Sequence, residues 1–232
     1  MDNIVLPLGS FINMLAVIGG SLAGLVLHGK FPERYRRIAF QAIGLCTLLI
    51  GAQMAFKAED ILILIISMLT GAWLGEWARL DERLRTLGDY LKAKTKSKAE
   101  YFTDGLVTAF LLYCAGSLTI LGALEEGLNE DRSLLYTKSV LDGFTSIVLA
   151  SSYGVGVLVS ALPLFVFQGA LTLSAGFMEP LLPEQVINQI SAAGGIMILG
   201  LGLNLLEIKD IKVTNMLPAL VIIVGLSHLI LR

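Results

Sequence analysis

Long apolar stretches separated by short polar turns make up most of this chain. The first runs from Gly9 to Leu27 without a charged residue. Val140 to Met178 is charged only at Asp142 and is about twice the ~20 residues that one membrane-crossing helix needs, so it predicts two helices with a tight break near residues 152–156. Further apolar stretches cover residues 38–56, 61–74, 103–124, 186–206 and 217–231. The pattern predicts an all-α polytopic membrane protein with about eight transmembrane helices.

Composition agrees with this fold class and narrows the function. The chain is 55% hydrophobic and 16% charged, with a mean hydropathy of +0.77, whereas soluble domains are about 45–50% apolar and about 25% charged. A net charge of -2, with the basic residues concentrated in two polar segments, gives no indication of nucleic-acid binding. Cys46 and Cys114 lie in apolar stretches and predict neither a disulfide nor a metal site. No cofactor is expected, and without a phosphate-binding loop or an HExxH motif no enzyme is expected.

Charge along the polar segments predicts how the chain is oriented in the membrane. The first turn, HGKFPERYRR, is basic, and short basic loops stay in the cytoplasm. Glu76 to Glu100 begins with an amphipathic pattern, which predicts a helix on the membrane surface, and ends in the basic linker KAKTKSK. The acidic loop EEGLNEDR suits the outer face. Both termini are therefore predicted outside, and Asp2 before the first apolar run favours a retained span over a cleaved signal.

Small residues recur at helical spacing in two of the predicted spans. Ala16, Gly20 and Gly24 lie on one face of the first, and Gly71 and Gly75 form a similar pair in the third. Such faces let helices approach closely and are compatible with a homodimer. Asn13 adjoins the first of these faces, where a hydrogen bond between helices is the favoured interpretation and a substrate ligand the alternative.

An internal repeat organises the chain. Phe31 to Gly51 aligns with Leu182 to Gly202 at a constant offset, which pairs the turn prolines, two glycines of each span, and Gln53 with Asn204. The charge pattern gives the two copies opposite orientations, so the sequence predicts an inverted-topology repeat of three spans, a central pair and three spans. The predicted segments are a first repeat at residues 1–75, the surface helix and linker at 76–102, a central helix pair at 103–154 and a second repeat at 155–232.

The most unusual polar feature is Asp142, with Lys138 four residues before it. If its helix begins near Leu134, Asp142 lies in the third turn and needs a partner, a bound cation or a proton. If the helix begins at Val140, Asp142 is a first-turn residue that the helix dipole stabilises. Lys138 could pair with it or extend toward the surface. The candidate ligands for a solute or ion are Asp142, Thr145, Ser146, Ser151, Ser152, Gln53, Gln168 and Asn204, with Lys138 as the ion-pair candidate.

Four runs carry a resemblance to a known family, and together they extend over most of the chain. GAWLGEWARLDERL, CAGSLTILGALEEGLNED, KSVLDGFTSIVLASSYGVGV and GGIMILGLGLNLLEIKDIKVTNMLPAL resemble the YqgA-like bacterial inner-membrane proteins of unknown function. The resemblance implies a multi-pass protein of the bacterial cytoplasmic membrane, of a kind often labelled a transport protein. It supplies neither a substrate nor a catalytic residue. The positions that match the family pattern are Asp142, Gln168, Asn204, Asn215 and Pro218.

Two classes of function follow from these observations. The first is a secondary transporter or facilitator of a small polar solute or ion, which uses alternating access and couples to protons or Na⁺ through Asp142. The second is a non-transporting scaffold or sensor that presents the basic surface helix to lipid or to a partner. A channel is a third reading, distinguished by a conductance far above carrier turnover.

Overall fold

The regular structure of this chain is helical throughout the residues described. The computed structural model describes residues 6–27, 33–94, 101–114, 117–178 and 182–230. The helices are α1 (Leu8–Leu27), α2 (Glu33–Ala55), α3 (Ile61–Trp77), α4 (Leu80–Lys94), α5 (Phe102–Cys114), α6 (Ser117–Asn129), α7 (Ser133–Tyr153), α8 (Val155–Val159), α9 (Ala161–Met178), α10 (Glu184–Leu205) and α11 (Ala219–Ile230), with a 3₁₀ helix at Val213–Met216. The predicted all-α fold is confirmed. Half of the first turn, residues 28–32, and most of the basic linker, residues 95–98, lie outside the described residues.

Four helical segments are long and apolar enough to cross a membrane, and the number rises to six if each of two bent pairs is one span. The four are Leu8–Leu27, Val155–Met178, Glu184–Leu205 and Val213–Ile230. Helix α7 is long enough, but its charged pair and its serines lower its hydropathy. Helix α2 begins with charged residues, which leaves only Gly44–Ala55 as a short apolar helix. The count of eight spans therefore stays a prediction.

Two breaks in the helices bear on the predicted spans. The predicted break near residues 152–156 is confirmed, because α7 ends at Tyr153 and Gly154 has φ 79° and ψ -149°, a conformation available essentially only to glycine. The predicted fourth span, residues 103–124, is instead the pair α5 and α6, which meet at 59°. A carbonyl freed at the end of α5 is satisfied, since the Thr119 hydroxyl donates to the Tyr113 carbonyl at 2.6 Å.

The helices form two compact units. The first contains α1, α5, α6, α7, α8 and α9. Within it α1 packs most extensively on α7, because Gly20 and Gly24 allow the two backbones to meet. A β-carbon at Gly20 would lie 2.1 Å from the Gly143 carbonyl oxygen, and one at Gly24 would lie 2.3 Å from the Ile147 carbonyl oxygen. The predicted packing face is confirmed.

The second unit contains α2, α3, α4 as far as Leu87, α10, the 3₁₀ helix and α11. Gly71 and Gly75, the second predicted pair, lie against the segment around Ala219 and Asn215, where added β-carbons would come within 2.4 Å and 1.9 Å of the backbone. Their role in close packing is confirmed. Helix α10 is the most buried of the four candidate spans, so it forms the centre of this unit.

Asn215 joins three elements of the second unit. Its Oδ1 accepts from the Asp81 backbone N–H at 2.7 Å, and its Nδ2 donates to Glu76 Oε2 at 2.6 Å. Glu76 also forms an ion pair with Lys212 at 3.1 Å, and the hydrogen bond and charge of Glu76 raise the pKa of Lys212. Asn215 thus holds the junction between α3 and α4, which are bent by 54°, against the 3₁₀ helix.

Each unit takes helices from both predicted repeats. Helices α1 and α9 belong to the first unit, and α2, α3, α10 and α11 belong to the second. The division into compact units therefore differs from the division into sequence repeats. The predicted segments at residues 1–75, 76–102, 103–154 and 155–232 are based on the sequence repeat and stay a prediction.

Candidate functional site

Helix α7 presents a polar stripe to the interior of the first unit. Lys138, Asp142 and Ser146 follow one another at intervals of four residues, so their side chains share one helix face. They are 4%, 7% and 0% exposed. Two opposite charges and a hydroxyl are therefore enclosed inside the unit, where polar groups need partners.

The two charges of the stripe neutralise each other. Lys138 Nζ donates to Asp142 Oδ2 and lies 5.8 Å from the centre of the Tyr113 ring. Because α7 begins at Ser133, Asp142 is nine residues into the helix (142 minus 133), a depth of roughly 13 Å at 1.5 Å per residue. The first-turn alternative for Asp142 is wrong. Lys138 pairs with Asp142 and does not extend to the surface.

Asn13 connects this ion pair to two other helices. Its Nδ2 donates to Asp142 Oδ2 at 2.9 Å and to Gln168 Oε1 at 3.0 Å, which links α1, α7 and α9. The hydrogen bond between helices that the sequence favours for Asn13 is confirmed. Both Asn13 and Gln168 are fully buried.

Each of these two amides keeps one buried atom without a partner. Asn13 Oδ1 and Gln168 Nε2 have no hydrogen-bond partner among the described residues. Turning the Asn13 amide over would bring its oxygen against two acceptor oxygens, and turning Gln168 over would face one amino group with another. The observed orientation is therefore the satisfiable one, and it leaves one acceptor and one donor available for a ligand.

A tyrosine closes the inner end of the stripe. Ser146 Oγ donates to the Asp142 carbonyl oxygen at 2.6 Å, and its oxygen lies 2.7 Å from the Tyr113 hydroxyl. A serine hydroxyl has one proton, so Tyr113 must be the donor in its bond with Ser146. Both side chains are buried, and the hydroxyl chain anchors α5 to α7.

A second buried carboxylate belongs to Glu126 on α6. It accepts from the Gly9 backbone N–H at 2.6 Å, from Arg132 Nε at 3.1 Å and from the Thr172 hydroxyl at 3.3 Å. Glu126 lies within α6 and its side chain is fully buried, so the sequence assignment of Glu126 to the acidic loop is wrong. The missed signal is helical spacing, since Thr119, Gly122 and Glu126 share one face of α6 and all three are buried.

The other sequence candidates do not join this cluster. Gln53 and Asn204 belong to the second unit, where Gln53 is exposed and Asn204 uses both amide atoms on the backbone of Ile211, each at 2.8 Å. Thr145 and Ser151 donate to carbonyl oxygens of their own helix, and Ser152 is buried. Of the nine candidates, the structure brings together Lys138, Asp142, Ser146 and Gln168.

Comparison with known proteins gives a family and two close relatives. The family profile described as "Protein of unknown function (DUF554)" matches residues 8–228. The chain is 37% identical over 218 residues to the uncharacterized membrane protein YdfK of Bacillus subtilis, covering 92% of this chain and 93% of that protein. It is 34% identical over 225 residues to the uncharacterized protein YqgA of Escherichia coli, covering 95% and 96%. No solved structure matches it.

Proposed function

This chain belongs to DUF554, a family of unknown function, and we propose from its buried polar cluster that it is a secondary transporter. The relatives are uncharacterized and do not indicate an activity. The cargo is a small polar solute or ion, moved by alternating access and coupled to protons or Na⁺ at Asp142. The proposal includes no catalytic step. Because no Walker motif is present in the sequence, an ion gradient or the solute's own gradient would drive the flux.

The observation that carries the proposal is the unfilled hydrogen-bonding capacity beside a buried ion pair. Buried polar side chains are normally satisfied, and replacing a buried ion pair with well-packed apolar residues is often neutral or stabilising, so packing alone does not require this cluster. Here Asn13 Oδ1 and Gln168 Nε2 stay open next to Asp142. One unpartnered acceptor and one unpartnered donor beside Asp142 would suit a ligand that both donates and accepts hydrogen bonds.

Helix pairing supports the inverted repeat that alternating access would use. The offset of the internal repeat is 151 residues (182 minus 31), which relates α1 to α9, α2 to α10 and α3 to α11. In each pair the two helices touch: Phe11 and Phe165 have ring centres 6.1 Å apart, Gly51 contacts Gly195, and Gly71 contacts Ala219.

The paired helices also run in opposite directions. Gly44 lies near Gly202 while Gly51 lies near Gly195, so residue numbers rise along α2 as they fall along α10. Contact between antiparallel, sequence-related helices is what a two-fold axis in the membrane plane would produce. Such an axis relates an outward-open arrangement to an inward-open one of similar energy.

In this mechanism Lys138 competes with the coupling ion for Asp142. With no ion bound, the Lys138 ammonium group neutralises Asp142, as in the enclosed arrangement described above. A proton or Na⁺ at Asp142 would take over that role and release Lys138. Asn13 and Gln168 would bind the solute through their open atoms, and Ser146 would orient Asp142 through its backbone. Gln53 and Asn204 stay predictions that the cluster does not support.

The proposal is tested by flux into proteoliposomes. The purified protein would be exposed to Na⁺ and pH gradients with a panel of amino acids, sugars, polyols and inorganic anions. We expect Asp142→Asn to abolish dependence on the ion gradient. Thr145→Val is the matched control, since Thr145 lies on the same helix and donates to the Leu141 carbonyl oxygen of that helix. The coupling role is excluded if Asp142→Asn leaves the flux and its ion dependence unchanged.

The same preparation separates the alternatives. A current far above carrier turnover would indicate a channel. Deletion of residues 92–98 tests the scaffold hypothesis, since loss of lipid or partner binding with no solute flux in the intact protein would favour it.

Homodimer formation is a further prediction, which mass measurement of the detergent-solubilised protein would check.

A further inference from the structure

The two buried carboxylates of the first unit occupy successive layers. On α1, the Gly9 N–H bonds to Glu126 and the Asn13 side chain, four residues later, bonds to Asp142. On α9, Gln168 bonds to Asn13, and Thr172, four residues later, bonds to Glu126. Four residues are about one helical turn, or ~6 Å, so both helices place the carboxylates one turn apart.

The Glu126 layer lies nearer the ends of the helices. Gly9 is the second residue of α1, and Glu126 lies three residues before the end of α6. Arg132 precedes α7 and keeps 23% of its side chain exposed. Glu126 is therefore positioned between solvent at Arg132 and the enclosed Asp142.

The Thr172 hydroxyl has two acceptors, the Glu126 carboxylate and the Gln168 backbone carbonyl of its own helix. Its oxygen lies 3.3 Å from Glu126 Oε2 and 3.2 Å from the Gln168 carbonyl oxygen. One hydroxyl proton serves one acceptor at a time, so Thr172 can donate to an ionised Glu126 or turn to its own helix. With Glu126 protonated, the new O–H can donate to the Thr172 oxygen while Thr172 donates to Gln168. The hydrogen bonding of the α9 backbone thus depends on the charge of Glu126.

Arg132 also has an alternative partner. Its Nε binds Glu126 at 3.1 Å, and its terminal NH2 group lies 4.0 Å from the exposed Glu130 carboxylate. Glu125, the adjacent acid of α6, accepts from Asn129 at 2.8 Å. Among the described residues the charged groups around Glu126 are Arg132 directly, Lys138 and Asp142 one turn deeper, Glu125 beside it on α6, and Glu130 and Asp131 in the loop before Arg132. A neutral Glu126 would leave Arg132 with a carboxylate to pair with.

We propose that Glu126 is a second proton-binding site, which receives a proton from solvent at Arg132 and lies one helical turn from Asp142. Hydronium gives one proton to a Glu126 carboxylate oxygen and leaves as water. Arg132 then pairs with Glu130, and the Thr172 hydroxyl turns toward the Gln168 backbone carbonyl. The inference deepens the proposed transport function and rests on it for its role. The inference identifies the proton as the ion that enters from the end of the unit where Arg132 and Glu126 lie. The opposing reading is a permanent ion pair that fixes the α1 terminus.

Infrared spectroscopy distinguishes a proton-binding Glu126 from a permanent ion pair. The full-length protein in lipid nanodiscs would be titrated with acid and the carbonyl stretch of protonated carboxylic acids recorded. We expect a band from a buried acid that develops on acidification and is missing in Glu126→Gln. Glu125→Gln is the matched control and retains the band. Glu126→Gln keeps acceptor and donor atoms at the α1 terminus, and the melting temperature of each variant reports its folding.

Two further variants show how the site is controlled. Arg132→Gln removes the cation that binds Glu126, so the pH dependence of the band should change. Thr172→Val removes the switching hydroxyl and should change the band frequency. The proposal is overturned if wild type and Glu126→Gln give the same band over the titration, or if Arg132→Gln leaves its midpoint unchanged.

The proton site at Glu126 and the proposed transport function can be excluded separately. A Glu126 band that titrates in a protein without solute flux would retain the proton site and remove its transport role. Ion-coupled flux that Asp142→Asn abolishes, with no titrating band at Glu126, would retain transport and exclude the second site. The band can be assigned to Glu126 and not to Asp131, a nearby loop acid. Hydrogen bonds from Ser133 lower the pKa of Asp131, and its signal cancels in the difference between wild type and Glu126→Gln.

Discussion

Asn13 shows how much of this site depends on a single amide. Its amino group serves two acceptors on two helices, while its carbonyl oxygen stays open. A leucine at this position would keep the volume of the side chain but leave Asp142 and Gln168 each short of a donor. Losing a donor to a buried acceptor costs about 1–3 kcal/mol, so position 13 requires an amide.

The ion pair of Lys138 and Asp142 gives a prediction at the scale of single residues. Asp142→Asn leaves a buried ammonium group without a counterion, and breaking a buried pair costs about 3–5 kcal/mol. We expect Lys138→Met combined with Asp142→Asn to lose less than the sum of the single variants. The free energy of unfolding in mixed detergent micelles, followed by circular dichroism, measures this coupling.

An exposed pair provides the comparison for that cycle. Arg85 binds Asp81 at 2.8 Å with the same four-residue separation, but half of its side chain is exposed. Arg85→Gln should cost under about 1 kcal/mol, as is usual for surface pairs. A coupling energy near zero between Lys138 and Asp142 would contradict the burial described for them.

At the scale of helices, glycines decide which elements touch. Helix α1 meets α7 along Gly20 and Gly24, whose missing side chains admit carbonyl oxygens of the partner helix. That contact brings Asn13 to Asp142. The glycines of α1 therefore position Asn13 for its hydrogen bond to Asp142.

Gly24→Ala tests this arrangement. The new methyl group would lie 2.3 Å from the Ile147 carbonyl oxygen, so α1 and α7 must separate. Overpacking of this kind costs about 1–3 kcal/mol, and we expect a lower melting temperature. The control is Gly19→Ala, because nothing lies within 4 Å of a β-carbon there. Equal melting temperatures for the two variants would exclude the close contact.

At the scale of the whole molecule, the charges of the loops predict orientation. The acidic turn at residues 130–132, between α6 and α7, is expected outside, and the surface helix α4 with its basic linker inside, in the bacterial cytoplasmic membrane. The inverted repeat depends on this assignment, because its two copies must enter the membrane from opposite sides.

Cysteine labelling of intact cells checks the orientation. In a chain with Cys46 and Cys114 replaced by alanine, we expect Glu130→Cys to react with a membrane-impermeant maleimide in intact cells. Glu82→Cys should react only after the cells are opened. Both positions are exposed, and labelling of both in detergent is the control for reactivity. Reaction of both residues from the same side would rule out the predicted topology.

The sequence by itself determined the class of this protein and several of its local features. Apolar length predicts spanning helices, four-residue spacing places Lys138 beside Asp142, and glycines mark the break at Gly154 and the faces of α1 and α3. These features depend on residues close together in the chain, so helical periodicity is enough to locate them.

Only the tertiary structure decided which polar groups meet. Asn13, Asp142 and Gln168 are far apart in sequence, and no periodicity relates them. The sequence pattern assigns Glu126 and its neighbour Glu125 to the same acidic loop. In the structure Glu126 is buried, whereas Glu125 accepts a hydrogen bond from Asn129. Gln53 and Asn204 match in the repeat but lie in another unit, because kinship between segments does not determine what they pack against. Contacts between distant segments depend on how whole helices pack, and packing is a property of the assembled fold.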